Sequence, residues 1–182
     1  MKREFQPERL PVAEFAQASG HLAGTLALSR FPRLAAEAVE SIEGHEVRWE
    51  ADGEERQGSG GRAETSLHLR AGTTLPLACQ RCLTPVLVPI EVDRWFRFAA
   101  DEESAAALDE ELEEDVLVAS RDFDLLELIE DELLMELPIT PRHEVCPQAV
   151  PLSVQDADFD AAGEKQANPF AALAKLRSGK PE

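Results

Sequence analysis

The chain has 182 residues, a net charge of −18, 43 % apolar residues and 5 % aromatic residues with no tyrosine. That length supports one domain with a real core, while the scarcity of aromatics leaves little material for stacking single-stranded bases. The charge excludes more. Between Asp101 and Glu136 stand sixteen acids and one base, Arg121, a local balance of −15, whereas Lys165, Lys175, Arg177 and Lys180 face no acid within 165–180. Counterion release on a phosphate backbone needs clustered Lys and Arg, so tight RNA binding by the body is disfavoured and a basic partner is attracted.

The sequence lacks a run of about eighteen apolar residues, so no membrane span is expected. The N-terminal MKREFQPERLPVAEF has no apolar signal core, and three cysteines are an odd number that suits a reducing cytoplasm.

In chain order, Val12 to Ala18 reads as a short helix and Leu22 to Leu28 as a strand. Phe31 to Ser41 reads as a helix with Ser29 as cap, Pro32 in its first turn and Leu34, Ala35, Ala38 and Val39 on one face, ended by Gly44. HEVRWEAD, SLHLRAG, TTLPLAC and LTPVLVPIEVDRWFRFA alternate with period two, the first two separated by the Gly-rich ADGEERQGSGGRAE. This order predicts an α+β fold: an antiparallel meander or partial barrel, covered by one main helix. Residues 101–114 are acidic and alanine-rich and read as a mobile loop or marginal helix, and Asp115 to Ala119 as a further strand.

The main helix is expected over 124–137. Asp124 caps it, with Glu127 three residues on in the reciprocal position. Leu126, Ile129, Leu133 and Leu137 form one stripe, and Glu127, Glu130 and Asp131 are assigned to the opposite arc. Pro138 and Pro141 end the helix. The expected domain is 1–146; 147–182 reads as a flexible linker leading to a short amphipathic helix, with Asn168 as cap and Phe170, Leu173 and Leu176 on one side, suited to docking or to folding back on the core.

Cys79-Gln-Arg-Cys82 lies in a turn between strands, and His143-Glu-Val-Cys146 follows the main helix. Together they make a candidate structural Cys3His zinc set. Ordinary unligated thiols are the plain alternative; a redox CxxC is a third, although its usual strand-to-helix setting is missing. The acids Glu127, Glu130, Asp131 and Glu132 are read as solvated rather than catalytic, and His21, His45 and His68 as non-functional. GxSxG, P-loop and HExxH motifs are absent, and no catalytic centre or small-molecule substrate is indicated.

CQRCL at 79–83, LIEDELLMELPITPRHEVC at 128–146 and NPFAALAKL at 168–176 resemble the bacterial YceD family, the large ribosomal RNA subunit accumulation proteins. The resemblance implies a non-enzymatic cytoplasmic role in accumulation or processing of the large-subunit (23S) ribosomal RNA. Joined to the charge map, it suggests contact with a basic large-subunit ribosomal protein or the pre-ribosomal particle through Asp109, Glu110, Glu111, Glu113, Glu114 and Asp115. The tail, with Phe170, Leu173, Lys175, Leu176 and Arg177, would reach the particle or its RNA. An alternative is direct RNA binding through the β surface, where Arg70, Arg81, Arg94 and Arg97 flank the sheet, and the basic tail. A nuclease would need clustered carboxylates holding magnesium.

Overall fold

The computed structural model describes residues 4–57, 63–109 and 114–148. A five-stranded sheet in the order β1-β2-β3-β4-β5 organises them. Strands β1 (His21–Ala27), β2 (Glu46–Gln57), β3 (Ala63–Ala78) and β4 (Pro85–Ala99) form an antiparallel meander, and β5 (Asp115–Val118) adds parallel to β4. The sheet is therefore mixed and open, an α+β architecture. The chain divides into two units, Met1–Cys146 and Pro147–Glu182.

Two strands are longer than their sequence segments. SLHLRAG and TTLPLAC fuse into the single strand β3, because Ala71, Gly72, Thr73 and Thr74 pair in register with Val92, Glu91, Ile90 and Pro89 and no turn intervenes. The Gly-rich segment contributes its flanks to the ladder, with Glu54 opposite Ser66 and Gln57 opposite Ala63. Cross-strand pairing overrides weak local β propensity there.

Alternation sets the faces. Val47, Trp49, Ala51, Leu67, Leu69, Leu75, Ile90, Val92, Phe96 and Phe98 point to one side and are buried. Three helices share the cover of that side. Helix α1 (Val12–Gln17) lies on β2 and β3, and places Phe15 beside Gly53; a Cβ there would come within 2.5 Å of the ring. Helix α2 (Pro32–Ala36) is shorter than expected: Phe31, not Ser29, takes the cap position, Ala36 is its last residue, and Val39 instead donates its amide to Pro76 O at 2.9 Å. The third is α4 (Leu125–Met135), which contacts α2, β3 and β4.

In α4, Asp124 Oδ1 accepts the amides of Leu126 and Glu127 at 2.9 and 3.1 Å, satisfying two otherwise orphaned donors. Leu125, Leu126, Leu128, Ile129 and Leu133 are buried, each contributing about 1.5–3 kcal/mol of transfer free energy. The acids depart from expectation. Glu130 and Glu132 are buried, and only Glu127 is fully exposed while Asp131 is half-buried. Glu130 stands four residues after Leu126 and three before Leu133, so it falls inside the stripe, not opposite it.

Of the two readings of the acidic stretch, the helix holds over part of its length. Glu102–Asp109 form a helix, α3, with Asp101 Oδ1 accepting the Ser104 amide at 2.8 Å and Ala105 buried against the sheet. No helix of the described residues is long and apolar enough to cross a membrane.

Candidate metal centre

The β3–β4 turn is built to carry two sulfurs. Leu83 donates to Cys79 O at 2.8 Å and itself adopts φ +60°, while Cys79 donates to Thr84 O at 3.0 Å. Beyond α4 the chain returns to this turn: Gln80 N donates to Pro141 O at 2.8 Å, bringing His143 and Cys146 alongside. The four predicted residues meet despite the sixty residues between Cys82 and His143, because β4, β5 and α4 lead the chain back to the β3–β4 end.

The ligand atoms of Cys79, Cys82, His143 and Cys146 all lie within 4.8 Å of one another. Cys79 Sγ is 3.9 Å from Cys146 Sγ, and Cys82 Sγ is 3.5 Å from His143 Nδ1. A tetrahedral zinc ion with bonds of about 2.3 Å to sulfur and about 2.0 Å to nitrogen needs edges of about 3.8 Å and about 3.5 Å. The two edges match, and the remaining pairs lie within 4.8 Å. The three cysteines are free thiols, with Cys79 fully buried.

Electrostatics favour thiolate at two of them. Burial pushes the Cys79 thiol up, but the amides of His143, Cys82 and Arg81 and the His143 ring outweigh it and bring the value down to about 5. The Thr84 hydroxyl and amide lower Cys82. Burial raises Cys146, opposed by Arg81. His143 is raised by its bond to Cys79. Arg81, absent from the sequence-derived metal set, reaches Cys146 Sγ with Nε at 3.0 Å and donates Nη2 to the carbonyls of His143 (2.8 Å) and Glu144 (3.3 Å). Its position inside CxxC was the only available signal.

A second cluster, His21, Glu50 and Asp52, lies on the outer face of β1 and β2. It is already charge-compensated, since Arg70 Nη2 sits 3.0 Å from both carboxylates.

The remaining sequence-derived residues are distributed as follows. Arg94 contacts Asp115, Glu132 and Glu136, and Arg97 contacts Glu64 and Glu114. With Arg70 on Glu50 and Asp52 and Arg81 on the sulfur turn, all four sheet-flanking arginines carry partners. Glu114 also binds Arg56, whose guanidinium lies 3.5 Å above the Trp95 ring, and Trp95 stacks on His68 at 4.3 Å. His68 itself holds Asp93 at 2.6 Å, and His45 meets Thr74 O at 2.8 Å. Asp109 is exposed at the end of α3. Glu110, Glu111, Glu113, Phe170, Leu173, Lys175, Leu176 and Arg177 lie outside the described residues.

Two buried carboxylates were missed as structural elements. Glu130 Oε1 accepts the amides of Arg33 (2.7 Å) and Leu34 (3.1 Å), and Oε2 accepts Arg33 Nε (3.0 Å). Glu132 Oε2 forms an ion pair with Arg94 Nε at 3.4 Å whose geometry makes no hydrogen bond, and it is otherwise unpartnered. Burial raises the Glu132 carboxyl, partly offset by Arg94. The reading of Glu130 and Glu132 as solvated is therefore corrected: both are buried.

Fold and site together define an α+β sheet protein whose β3–β4 turn and post-helix segment form a metal-competent Cys3His cluster. Residues 67–177, more than half of the chain, match the family described as large ribosomal RNA subunit accumulation protein YceD. The chain belongs to this family. It is similar to the large ribosomal RNA subunit accumulation protein YceD of Haemophilus influenzae, 33 % identical over 104 residues. That match covers 56 % of this chain and spans 59 % of the length of that relative. No solved structure matches the chain.

Proposed function

We propose that this protein is a non-enzymatic factor in accumulation of the large-subunit (23S) ribosomal RNA, acting in the cytoplasm through a basic large-subunit ribosomal protein or the pre-ribosomal particle. The family and the relative's name support the ribosomal role, and the charge arrangement supports the mode of contact. The observation that carries the contact is a division among the acids of 101–136. Glu114, Asp115, Asp122, Glu130, Asp131, Glu132 and Glu136 are engaged by arginines of the same chain, and Asp124 caps α4. Glu102, Glu103 and Asp109 of α3 are exposed, and Glu110, Glu111 and Glu113 follow them in sequence. Among the described residues of 101–136 the exposed acids without an arginine are those of α3, its cap Asp101 and Glu127 of α4. The sequence that follows α3 adds three more acids, and the basic residues Lys175 and Arg177 of the tail would extend the contact to RNA. The cysteine turn enters this reading as a structural element rather than a catalytic one.

The experiment is co-sedimentation of the full chain with large-subunit precursor particles at low salt. A variant carrying Asp109→Asn, Glu110→Gln, Glu111→Gln and Glu113→Gln leaves Glu114 and Asp115 on their arginines, so the fold is retained. Loss of co-sedimentation is expected. Undiminished capture of the variant would rule out the acidic contact, and failure of the unaltered chain to bind particles would remove the ribosomal reading itself.

A further inference from the structure

The segment 138–146 is under-determined by ordinary forces. It has no regular secondary structure, and Ile139 and Val145 are 96 % and 85 % exposed, so only Pro141 buries well. Its backbone–backbone link to the body is the Gln80–Pro141 hydrogen bond, supplemented by the His143 amide on the Cys79 sulfur and by Arg81 on two carbonyls. Burial and hydrogen bonding this sparse do not readily offset the cost of ordering nine residues, at about 1–2 kcal/mol each for the backbone alone. Yet four soft or borderline donors converge there within 4.8 Å of one another, two of their edges at tetrahedral length.

We propose that Cys79, Cys82, His143 and Cys146 bind one zinc ion, that this ion clasps segment 138–146 to the β3–β4 turn, and that Arg81 is the positioning residue that compensates the centre's charge. The chemistry selects zinc over the alternatives. Three thiolates and one imidazole form a closed four-ligand structural set. Four donor atoms within 4.8 Å of one another, with one S–S edge of 3.9 Å and one S–N edge of 3.5 Å, have room for one ion. The CxxC sits between two antiparallel strands rather than at a helix start, where redox dithiols are activated. Three thiolates around a dication leave one negative charge in excess, and the Arg81 guanidinium lies 3.0 Å from the sulfur of Cys146. A partner in this outer shell fixes its ligand and is typically worth about 10–100-fold in metal affinity. The proposal is independent of the ribosomal contact and can fail or stand without it.

The test uses the full chain purified without chelator. Elemental analysis should give about one zinc per chain, with thiols that react with a chromogenic disulfide reagent only after a chelator removes the metal. Removal should also expose the Arg142–His143 bond to trypsin, because the clasp is released. Cys82→Ser should abolish stoichiometric binding. Since that variant can fail to fold, Arg81→Gln supplies the second arm: it keeps all four ligands, and its zinc affinity in chelator competition should fall about 10–100-fold, with Cys146 becoming the first thiol to react. Three freely reactive thiols without metal, or iron in place of zinc, would overturn the metal assignment. Unchanged trypsin sensitivity after metal removal would overturn the clasp. Affinity and Cys146 reactivity unaltered in Arg81→Gln would overturn the role of Arg81.

Discussion

Replacing Glu130 by alanine tests whether the buried carboxylate of α4 braces α2. In the native fold its two oxygens receive two backbone amides and one guanidinium nitrogen at 2.7–3.1 Å, and its side chain is 8 % exposed. Truncation leaves the buried Leu34 amide and the part-buried Arg33 amide without their acceptor, and an unmet buried donor costs about 1–3 kcal/mol. The ionic part is discounted, because Arg33 is half exposed and retains Asp131 at 2.6 Å. The expected loss is therefore about 2–4 kcal/mol. Glu130→Gln keeps one acceptor oxygen and should cost about half as much. Glu127→Ala, exposed on the same helix, should stay within about 0.5 kcal/mol of the parent. Urea unfolding at fixed metal content, with an unchanged denaturant slope, reads all three. A Glu130→Ala protein within about 0.5 kcal/mol of the parent would refute the brace and return Glu130 to the status of a surface acid.

Glu132→Gln should stabilise the protein by about 0.5–2 kcal/mol at neutral pH, since it removes a buried charge whose Oε2 has no hydrogen bond. The folded-state carboxyl titrates above its unfolded value, so the parent regains stability as pH falls through the folded value, and the advantage of the variant should vanish in the ordinary glutamate range. An advantage constant with pH would contradict this. Gly53→Ala drives a methyl towards the Phe15 ring and the Ala16 Cα at 3.0 Å; a loss of about 1–3 kcal/mol in thermal or urea unfolding is expected, and none if α1 is free to shift. Leu83→Gly relieves a left-handed conformation at a side chain that is 78 % exposed, and should raise stability by up to about 1 kcal/mol. In a salt series, particle capture should fall well before the melting temperature does, because exposed charges on α3 are screened more than half-buried pairs such as Arg97–Glu114. A parallel fall would place the contact on the folded core's own ion pairs.

Period-two alternation made most of the sheet legible, and the Asp124 cap and the two prolines bounded α4 to within two residues. What failed was local. At 71–74 the glycine and paired threonines read as a turn, but a long register with β4 carries β3 straight through. Phe31 to Ser41 looked helical throughout, yet after Ala36 the chain finds its donors and acceptors on the free edge of β3, through Val39 to Pro76 and His45 to Thr74. Parallel pairing of β5 had no local signature, since direction depends on the crossover of residues 100–114. The cysteine set was legible as composition and spacing; its closure was not, because convergence across sixty residues is a property of topology. Glu130 is legible in principle, as helical periodicity puts it on the apolar stripe, although its charge taken alone points to solvent.

The arginine partners bear on how this chain can meet a ribosomal particle. Arg70, Arg94 and Arg97 hold seven acids between them in Glu50, Asp52, Asp115, Glu132, Glu136, Glu64 and Glu114. Releasing any of these arginines to a phosphate would leave carboxylates behind, some of them half-buried, and like-charge repulsion would oppose the backbone as it approached. Arg70 and Arg97 on the outer face and Arg94 on the helix side are therefore spent on the chain's own carboxylates, and Trp95 is sandwiched between Arg56 and His68 rather than offered to a base. Among the described residues, the acids Glu102, Glu103 and Asp109 of α3 are exposed. Under the proposed function, contact with a basic protein therefore falls to α3 rather than to the arginines of the sheet.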